Sequence, residues 1–324
     1  MNNELNINKK IKFGYSQIIK QNKIFLSKLK KNLDNKKIKN YILIDKHCYN
    51  PISHLLYYNN NNNNKQTINF LNFFLDKNKS KLLTDQKLPV IFQNTNLIKV
   101  NETRNYKFHL DKSLTKSDIN KFNSILKNLV KILGNRWKKH ISIIKYISVI
   151  KLNNKKNSKF FSGTSTNSQG AIHLCKPFNE LKLLECLTHE ASHIWLDKLE
   201  MSNNEFARNG WTKNNFISPW RSDKRPVSGI IHAAYVFSFV CKYLIQYYKK
   251  TNNSKFLYRA IFLSQKIHLG LNEMKKCKEI TKLGLEVNNI SLKNIKSVDN
   301  FIQTKISSQS LKKLNEINFK KKYS

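Results

Sequence analysis

The 324-residue sequence predicts an α+β fold that is predominantly helical, with a small sheet preceding a helix that carries an HExxH motif. Apolar residues recur at helical spacing in several long segments, and β-branched residues concentrate in 141–152. Only 8 glycines and 5 prolines are present, which excludes a collagen-like or low-complexity chain. We expect the HExxH helix to pack on a second helix that bears His232.

The first predicted element is a helix that begins at Ser117 as its N-cap and ends at Gly134, with one apolar face. A strand follows over 141–152, and the segment 170–175 predicts a second strand at the edge of the sheet. Pro177 then opens the HExxH helix, which runs to about Met201.

Two further helices are predicted, from Pro226 to about Tyr248 and from about Ser254 to Met274. The asparagine run 59–64 predicts a solvated loop, and the tail after Ser291 predicts loose order. We therefore expect a basic N-terminal region at 1–140, with peptide or leader binding as its candidate role. An HExxH catalytic domain at 141–290 and a basic C-terminal tail at 291–324 complete the organisation.

Composition narrows the class of protein before any motif is considered. With 40% hydrophobic and 11% aromatic residues the chain can fill a core, which excludes a wholly disordered protein despite a net charge of +39. The 5 cysteines are scattered without a CxxC pair, and the N-terminus lacks the apolar core of a signal peptide. Because the apolar run 229–241 is too short to span a bilayer, we predict a cytoplasmic protein without a membrane partner.

The positive charge favours an acidic partner without identifying nucleic acid. Only six of the 59 basic residues are arginine, and the abundance of lysine, asparagine and isoleucine is typical of an AT-rich genome. Such a charge attracts acidic peptides as well as nucleic acids. We therefore do not predict a nucleic-acid partner.

The sharpest motif is the HExxH sequence at 189–193. Residues four apart on a helix project from the same face, so His189 and His193 can present two imidazole nitrogens to one metal ion. Glu190 then lies beside the open coordination position and is the candidate catalytic residue. Six acidic residues between Glu180 and Glu205 favour a cation near this helix.

The third metal ligand separates the enzymes that share this motif. Leu196 and Leu199 exclude the metzincin pattern, and no carboxylate lies at 211–213, where a thermolysin-like ligand is expected. The nearest informative histidine downstream is His232, on a helix rich in small residues. His232 is the candidate third ligand, and a buried histidine of the core is the alternative interpretation.

The segment SPWRSDKRP at 218–226 contains two of the six arginines and two of the five prolines. Arginine in a chain that otherwise uses lysine indicates bidentate binding of a carboxylate or phosphate. Pro226 opens the next helix and places Arg225 near its positive end, where an anion is favoured. The alternative role of Arg221 and Arg225 is a structural salt bridge to the acidic HExxH helix.

The order of these motifs resembles a known family. HExxH, then SPWRxDxRPxxGxxH, then the aromatic helix segment AYVF at 234–237 resemble the HExxH proteins encoded beside ribosomally synthesised, post-translationally modified peptides. The resemblance covers about 181–237 and implies an iron(II)- and 2-oxoglutarate-dependent dioxygenase. Such an enzyme hydroxylates Cβ of Asp, Asn or Pro in a precursor peptide, whose leader we expect to be acidic.

The resemblance also implies a role for each candidate residue. His189 and His193 would be iron ligands with His232 as the third, and Arg221 or Arg225 would hold the distal carboxylate of 2-oxoglutarate. An all-histidine ligand set differs from the two-histidine, one-carboxylate set of ordinary non-haem oxygenases.

Two other functions are compatible with the sequence. In a zinc metallopeptidase Glu190 would act as general base on a zinc-bound water, which explains Glu190 but leaves the two arginines without a role. A non-catalytic nucleic-acid or leader-peptide binding module with an inactive motif is the second alternative.

Overall fold

The computed structural model describes residue 20 and residues 108–110, 115–144, 146–152, 162–164, 170–200, 205–212 and 215–305. The predicted loop at 59–64, most of the N-terminal region 1–140 and residues 306–324 of the predicted tail lie outside these residues. The described part is predominantly helical, as the sequence predicts. It contains a four-stranded sheet before the HExxH helix and a two-stranded sheet after it that the sequence did not predict. The chain divides into a first unit, Met1–Asn203, and a second unit, Asn204–Ser324.

The first unit contains four strands and two helices in its described part. In chain order these are β1 (Phe108–Leu110), α1 (Lys116–Ile141), β2 (Tyr146–Leu152), β3 (Ser162–Thr164), β4 (Ala171–Cys175) and α2 (Glu180–Glu200).

The sheet of the first unit has the strand order β1-β2-β4-β3. β4 pairs in parallel with β2 and antiparallel with β3, so the expectation that 170–175 forms an edge strand is wrong. Ile172 and Leu174 are fully buried, as expected for an inner strand. The sequence misses this arrangement because β3, with the sequence Ser-Gly-Thr, has no apolar pattern of its own.

α1 differs from its prediction at both ends. Thr115 caps it through a reciprocal pair with Asp118, in which the Thr115 Oγ1 accepts from the Asp118 amide at 3.1 Å. The helix continues past Gly134, which has a non-helical backbone with φ of 73°, and ends at Ile141. Burial of Trp137 and Ile141 stabilises this extension. Because the helix takes up residues to Ile141, β2 begins only at Tyr146 and not at Ile141 as predicted.

α2 is the HExxH helix and begins three residues after Pro177. Asn179 caps it by accepting from the Lys182 amide at 2.9 Å. The helix buries the side chains of Leu184, Leu187, Ala191, Ile194 and Leu199, and Trp195 is half-buried. α2 packs on α1 and contacts β3, so both a helix and a strand of the first unit determine its position.

The described part of the second unit contains three helices and a short hairpin. In chain order these are β5 (Phe216–Ile217), β6 (Lys224–Arg225), α3 (Val227–Thr251), α4 (Ser254–Met274) and α5 (Lys282–Lys305). The bounds of α4 are those predicted, with Asn253 as its N-cap. The expected loose order after Ser291 is wrong as far as Lys305, because Ile295, Val298 and Ile302 form a buried helical face.

α3 is a longer apolar segment than the sequence analysis considered. Its 25 residues are long and apolar enough to cross a bilayer, whereas the run 229–241 alone is too short. However, 72% of its apolar window is buried within the described structure. A core helix of a globular protein has the same properties, so α3 is weak evidence for a membrane span.

Candidate metal and cofactor site

The two histidines of the motif are brought together on α2. Their Nε2 atoms are 3.2 Å apart, and both side chains are half-buried. A metal ion about 2.0–2.1 Å from each nitrogen, with a tetrahedral or octahedral angle, requires nitrogens about 2.8–3.4 Å apart. The pair therefore has the spacing that two ligands of one ion need, and the same distance permits a hydrogen bond between the rings without metal.

Glu190 is directed into the first unit. It is 2% exposed, and the Ser162 hydroxyl on β3 donates to its Oε1 at 2.6 Å. Burial raises the pKa of the Glu190 carboxyl to about 8; the Ser162 hydrogen bond opposes this rise and the charge of Asp197 adds to it. The carboxyl is therefore already engaged by a serine and held largely in its neutral form near pH 7.

Asp197 lies one turn beyond His193 on α2 and is buried. Its carboxylate lies within 4.8 Å of that of Glu200, which is one turn further along. A carboxylate at this position suits the role of an outer partner for an imidazole N–H, which orients a ligating ring. The acidic bias of the sequence anticipated this charge but did not single out Asp197.

In the second unit both predicted arginines pair with one carboxylate of their own loop. The Arg221 Nε donates to Asp223 Oδ1 at 2.7 Å, and the Arg225 Nη1 donates to Asp223 Oδ2 at 3.4 Å. The hydrogen bond from Arg221 holds the pKa of Asp223 below its usual range, so this carboxylate is ionised. The Arg225 side chain is 18% exposed and that of Arg221 is 42% exposed, so Arg225 is the more enclosed of the two.

Trp220 fixes this loop on the helices of the second unit. Its ring stacks on Phe237 of α3, with centroids 5.5 Å apart and planes inclined by 11°. It also packs on Gly270 of α4, where a Cβ would lie 2.6 Å from the Trp220 Cη2. The glycine on α4 is therefore a requirement of the loop position, and no local sequence pattern indicates it.

Two buried polar atoms near this loop find no hydrogen-bond partner among the residues that the structure describes. They are the Trp220 Nε1 and the Ser228 Oγ in the first turn of α3. Pro226, the N-cap of α3, also contributes no side-chain hydrogen bond to the helix end. Because an unsatisfied buried donor is costly, these atoms are consistent with a polar ligand held near the SPWRSDKRP loop.

His232 is buried on α3 between two aromatic rings. Its centroid lies 5.4 Å from that of Phe206 and 5.1 Å from that of Trp211. A Cβ placed on Gly229 would be 3.8 Å from both the Arg225 Nε and the Trp211 Cζ3. Trp211, which the sequence did not indicate, therefore links the surroundings of Arg225 and His232 within the second unit.

The six predicted site residues thus form two groups, each within one unit. The first unit contributes His189, Glu190 and His193, and the second unit contributes Arg221, Arg225 and His232. Neither protein-family models nor curated protein sequences give a match to the chain. The family resemblance therefore depends on the motifs alone.

Proposed function

We propose that this protein is an iron(II)- and 2-oxoglutarate-dependent oxygenase that hydroxylates Cβ of an Asp, Asn or Pro residue in a ribosomally made precursor peptide. The observation that carries the proposal is the 3.2 Å separation of the His189 and His193 Nε2 atoms. In this proposal α2 is the metal-binding helix, and His232 is the third ligand. Imidazole nitrogens suit iron(II), and they suit zinc equally well.

When bound, iron(II) and 2-oxoglutarate would supply the oxidising power for C–H hydroxylation, with succinate as coproduct. The chain's own residues would hold the ion, orient the cosubstrate and exclude water. Asp197 would orient one imidazole by accepting its second N–H. Glu190, which is engaged by Ser162, has no required role in this chemistry.

Arg225 is the proposed partner of the distal carboxylate of 2-oxoglutarate. Its hydrogen bond to Asp223 is 3.4 Å long, against 2.7 Å for Arg221, so it is the weaker of the two bonds and the easier one for a ligand to replace. It also precedes the N-terminus of α3, where an anion is favoured. The unsatisfied Trp220 Nε1 and Ser228 Oγ support a polar ligand near this loop.

The proposed partner is a precursor peptide with an acidic leader. The net charge of +39 would attract an acidic peptide over long range and would speed its encounter with the enzyme. We retain a cytoplasmic location as part of the proposal, because the scattered cysteines are typical of a reducing compartment.

The zinc-peptidase alternative requires Glu190 as an ionised general base. Its carboxyl is buried and already accepts a hydrogen bond from the Ser162 hydroxyl, which disfavours that role. The substitution Glu190→Gln is close in shape to the neutral acid and separates the two functions. We expect it to retain hydroxylation, whereas a peptidase that depends on this base would lose roughly a hundredfold or more in cleavage rate.

The decisive experiment uses full-length protein reconstituted anaerobically with iron(II). After addition of 2-oxoglutarate and air, we expect succinate and a gain of about 16 Da on an uncut peptide. His189→Ala should abolish succinate formation, while the exposed His268 on α4 provides a matched control, because His268→Ala should leave it unchanged. Zinc-supported cleavage in the absence of oxygen would instead identify a peptidase.

A further inference from the structure

Three hydrogen bonds join the last two turns of α1 to the HExxH segment of α2. The Trp137 Nε1 donates to the Thr188 Oγ1 at 2.9 Å, and the His140 Nε2 lies 2.9 Å from the Ser192 Oγ. The Trp195 Nε1 donates in the opposite direction, to the backbone oxygen of His140 at 3.0 Å. We call this set of contacts the α1–α2 clamp.

The α1–α2 clamp grips the residue immediately before each histidine of the metal pair. Thr188 and Ser192 are fully buried, and each precedes one histidine in the sequence. Because successive helical residues are rotated by about 100°, fixing these two side chains also fixes the direction in which His189 and His193 project. The clamp therefore affects the orientation of His189 and His193 without contributing a metal ligand.

The hydrogen-bond roles follow from the donors that are present. The Ser192 Oγ donates its proton to the Thr188 backbone oxygen at 2.8 Å, so its lone pairs remain for another donor. The His140 Nε2 must then carry the proton in its contact with Ser192. A side chain with a donor at that position should replace His140, and a side chain without one should not.

The backbone of α1 brings these donors into place through Gly134. This residue has φ of 73° and ψ of −166° inside the helix, and both Trp137 and His140 follow it. A Cβ on Gly134 would meet no atom within 4 Å, so the positive φ, and not a lack of space, requires glycine here. The kink at Gly134 thus determines the direction of the helical segment that contains Trp137 and His140.

We propose that Trp137 and His140 are positioning residues for the His189–His193 metal pair. They act through Thr188 and Ser192, and hold α2 at the rotation that directs both imidazoles to one ion. This inference rests on the proposed function, since it takes the pair to be metal ligands. It adds two residues of α1 that neither the motif nor the family resemblance includes.

The test is an anaerobic titration of cobalt(II) into full-length wild type, Trp137→Phe, His140→Leu and His140→Gln. Partners of ligating residues typically change metal affinity by 10–100-fold, so we expect Trp137→Phe and His140→Leu to weaken cobalt(II) binding about tenfold. Their visible absorption bands should also change, because the coordination geometry relaxes. His140→Gln should restore both the affinity and the bands, since its amide nitrogen can donate to Ser192.

A matched control is Leu126→Ala, which removes a fully buried side chain of α1 outside the clamp. It should lower the melting temperature at least as much as Trp137→Phe while leaving the cobalt(II) affinity of the folded protein unchanged. If affinity instead follows melting temperature across all variants, or does not change in Trp137→Phe and His140→Leu, the inference is overturned while the proposed function stands. Wild-type protein that binds neither cobalt(II) nor iron(II) would overturn both.

Discussion

His173 makes the first unit sensitive to acid. It lies in the middle of β4 and is 5% exposed, with its backbone facing Ser148 of β2 and Gly163 of β3. Burial lowers the pKa of His173 from 6.5 to about 4. The folded state therefore favours neutral His173, and this contribution to stability is complete above about pH 6.5 and lost as pH falls through about 4.

The magnitude follows from the size of the shift. A change of about 2.5 in pKa, at about 1.36 kcal/mol for each unit, corresponds to about 3 kcal/mol of unfolding free energy. About 2 kcal/mol of this would already be lost at about pH 5. Domains are typically stable by about 5–15 kcal/mol, so the loss is a large part of the total.

The assay compares wild type with His173→Gln, which has no group that titrates at this position. Guanidinium chloride unfolding at about pH 7 and about pH 5, with a chelator present, should show wild type losing about 2 kcal/mol more than the variant. Asp118, Asp223 and Glu273 also have lowered pKa values, but they are present in both proteins and cancel in the comparison. Equal losses in the two proteins, or an NMR titration midpoint of His173 near its ordinary value, would refute the reasoning.

Three further predictions test the site and the residues that support it. Gly270→Ala should gain about 1 kcal/mol from the higher helix propensity of alanine, but its Cβ would clash with the Trp220 ring. Such overpacking typically costs about 1–3 kcal/mol. We therefore expect a lower melting temperature and weaker 2-oxoglutarate binding. Arg225→Lys should weaken 2-oxoglutarate binding about ten- to a hundredfold and leave iron(II) affinity unchanged. Arg221→Lys should change 2-oxoglutarate binding little. Both affinities are measured anaerobically from the metal-to-ligand charge-transfer band. An equal effect of both lysine variants would contradict the choice of Arg225. Gly134→Ala should cost about 1–3 kcal/mol in thermal unfolding, because φ of 73° with ψ of −166° is a backbone conformation that essentially only glycine adopts. No loss would show that the kink relaxes.

The sequence by itself determined the features that arise from local interactions. The bounds of α4 follow from the Asn253 cap and a regular apolar period, and the HExxH spacing alone places His189 and His193 on one face of α2. The helical character of the fold was predictable for the same reason, since capping and periodicity act within a few residues.

Only the tertiary structure decided which distant groups meet. The inner position of β4 depends on its pairing with β3, and the contact of Glu190 depends on Ser162, 28 residues away. The α1–α2 clamp joins residues more than fifty positions apart, such as Trp137 and Thr188. The extension of α1 past Gly134 is stabilised only when Trp137 and Ile141 are buried in the folded unit. Such long-range contacts leave no periodic signal in the chain, because their free energy comes from packing and hydrogen bonding that exist only once the elements have come together.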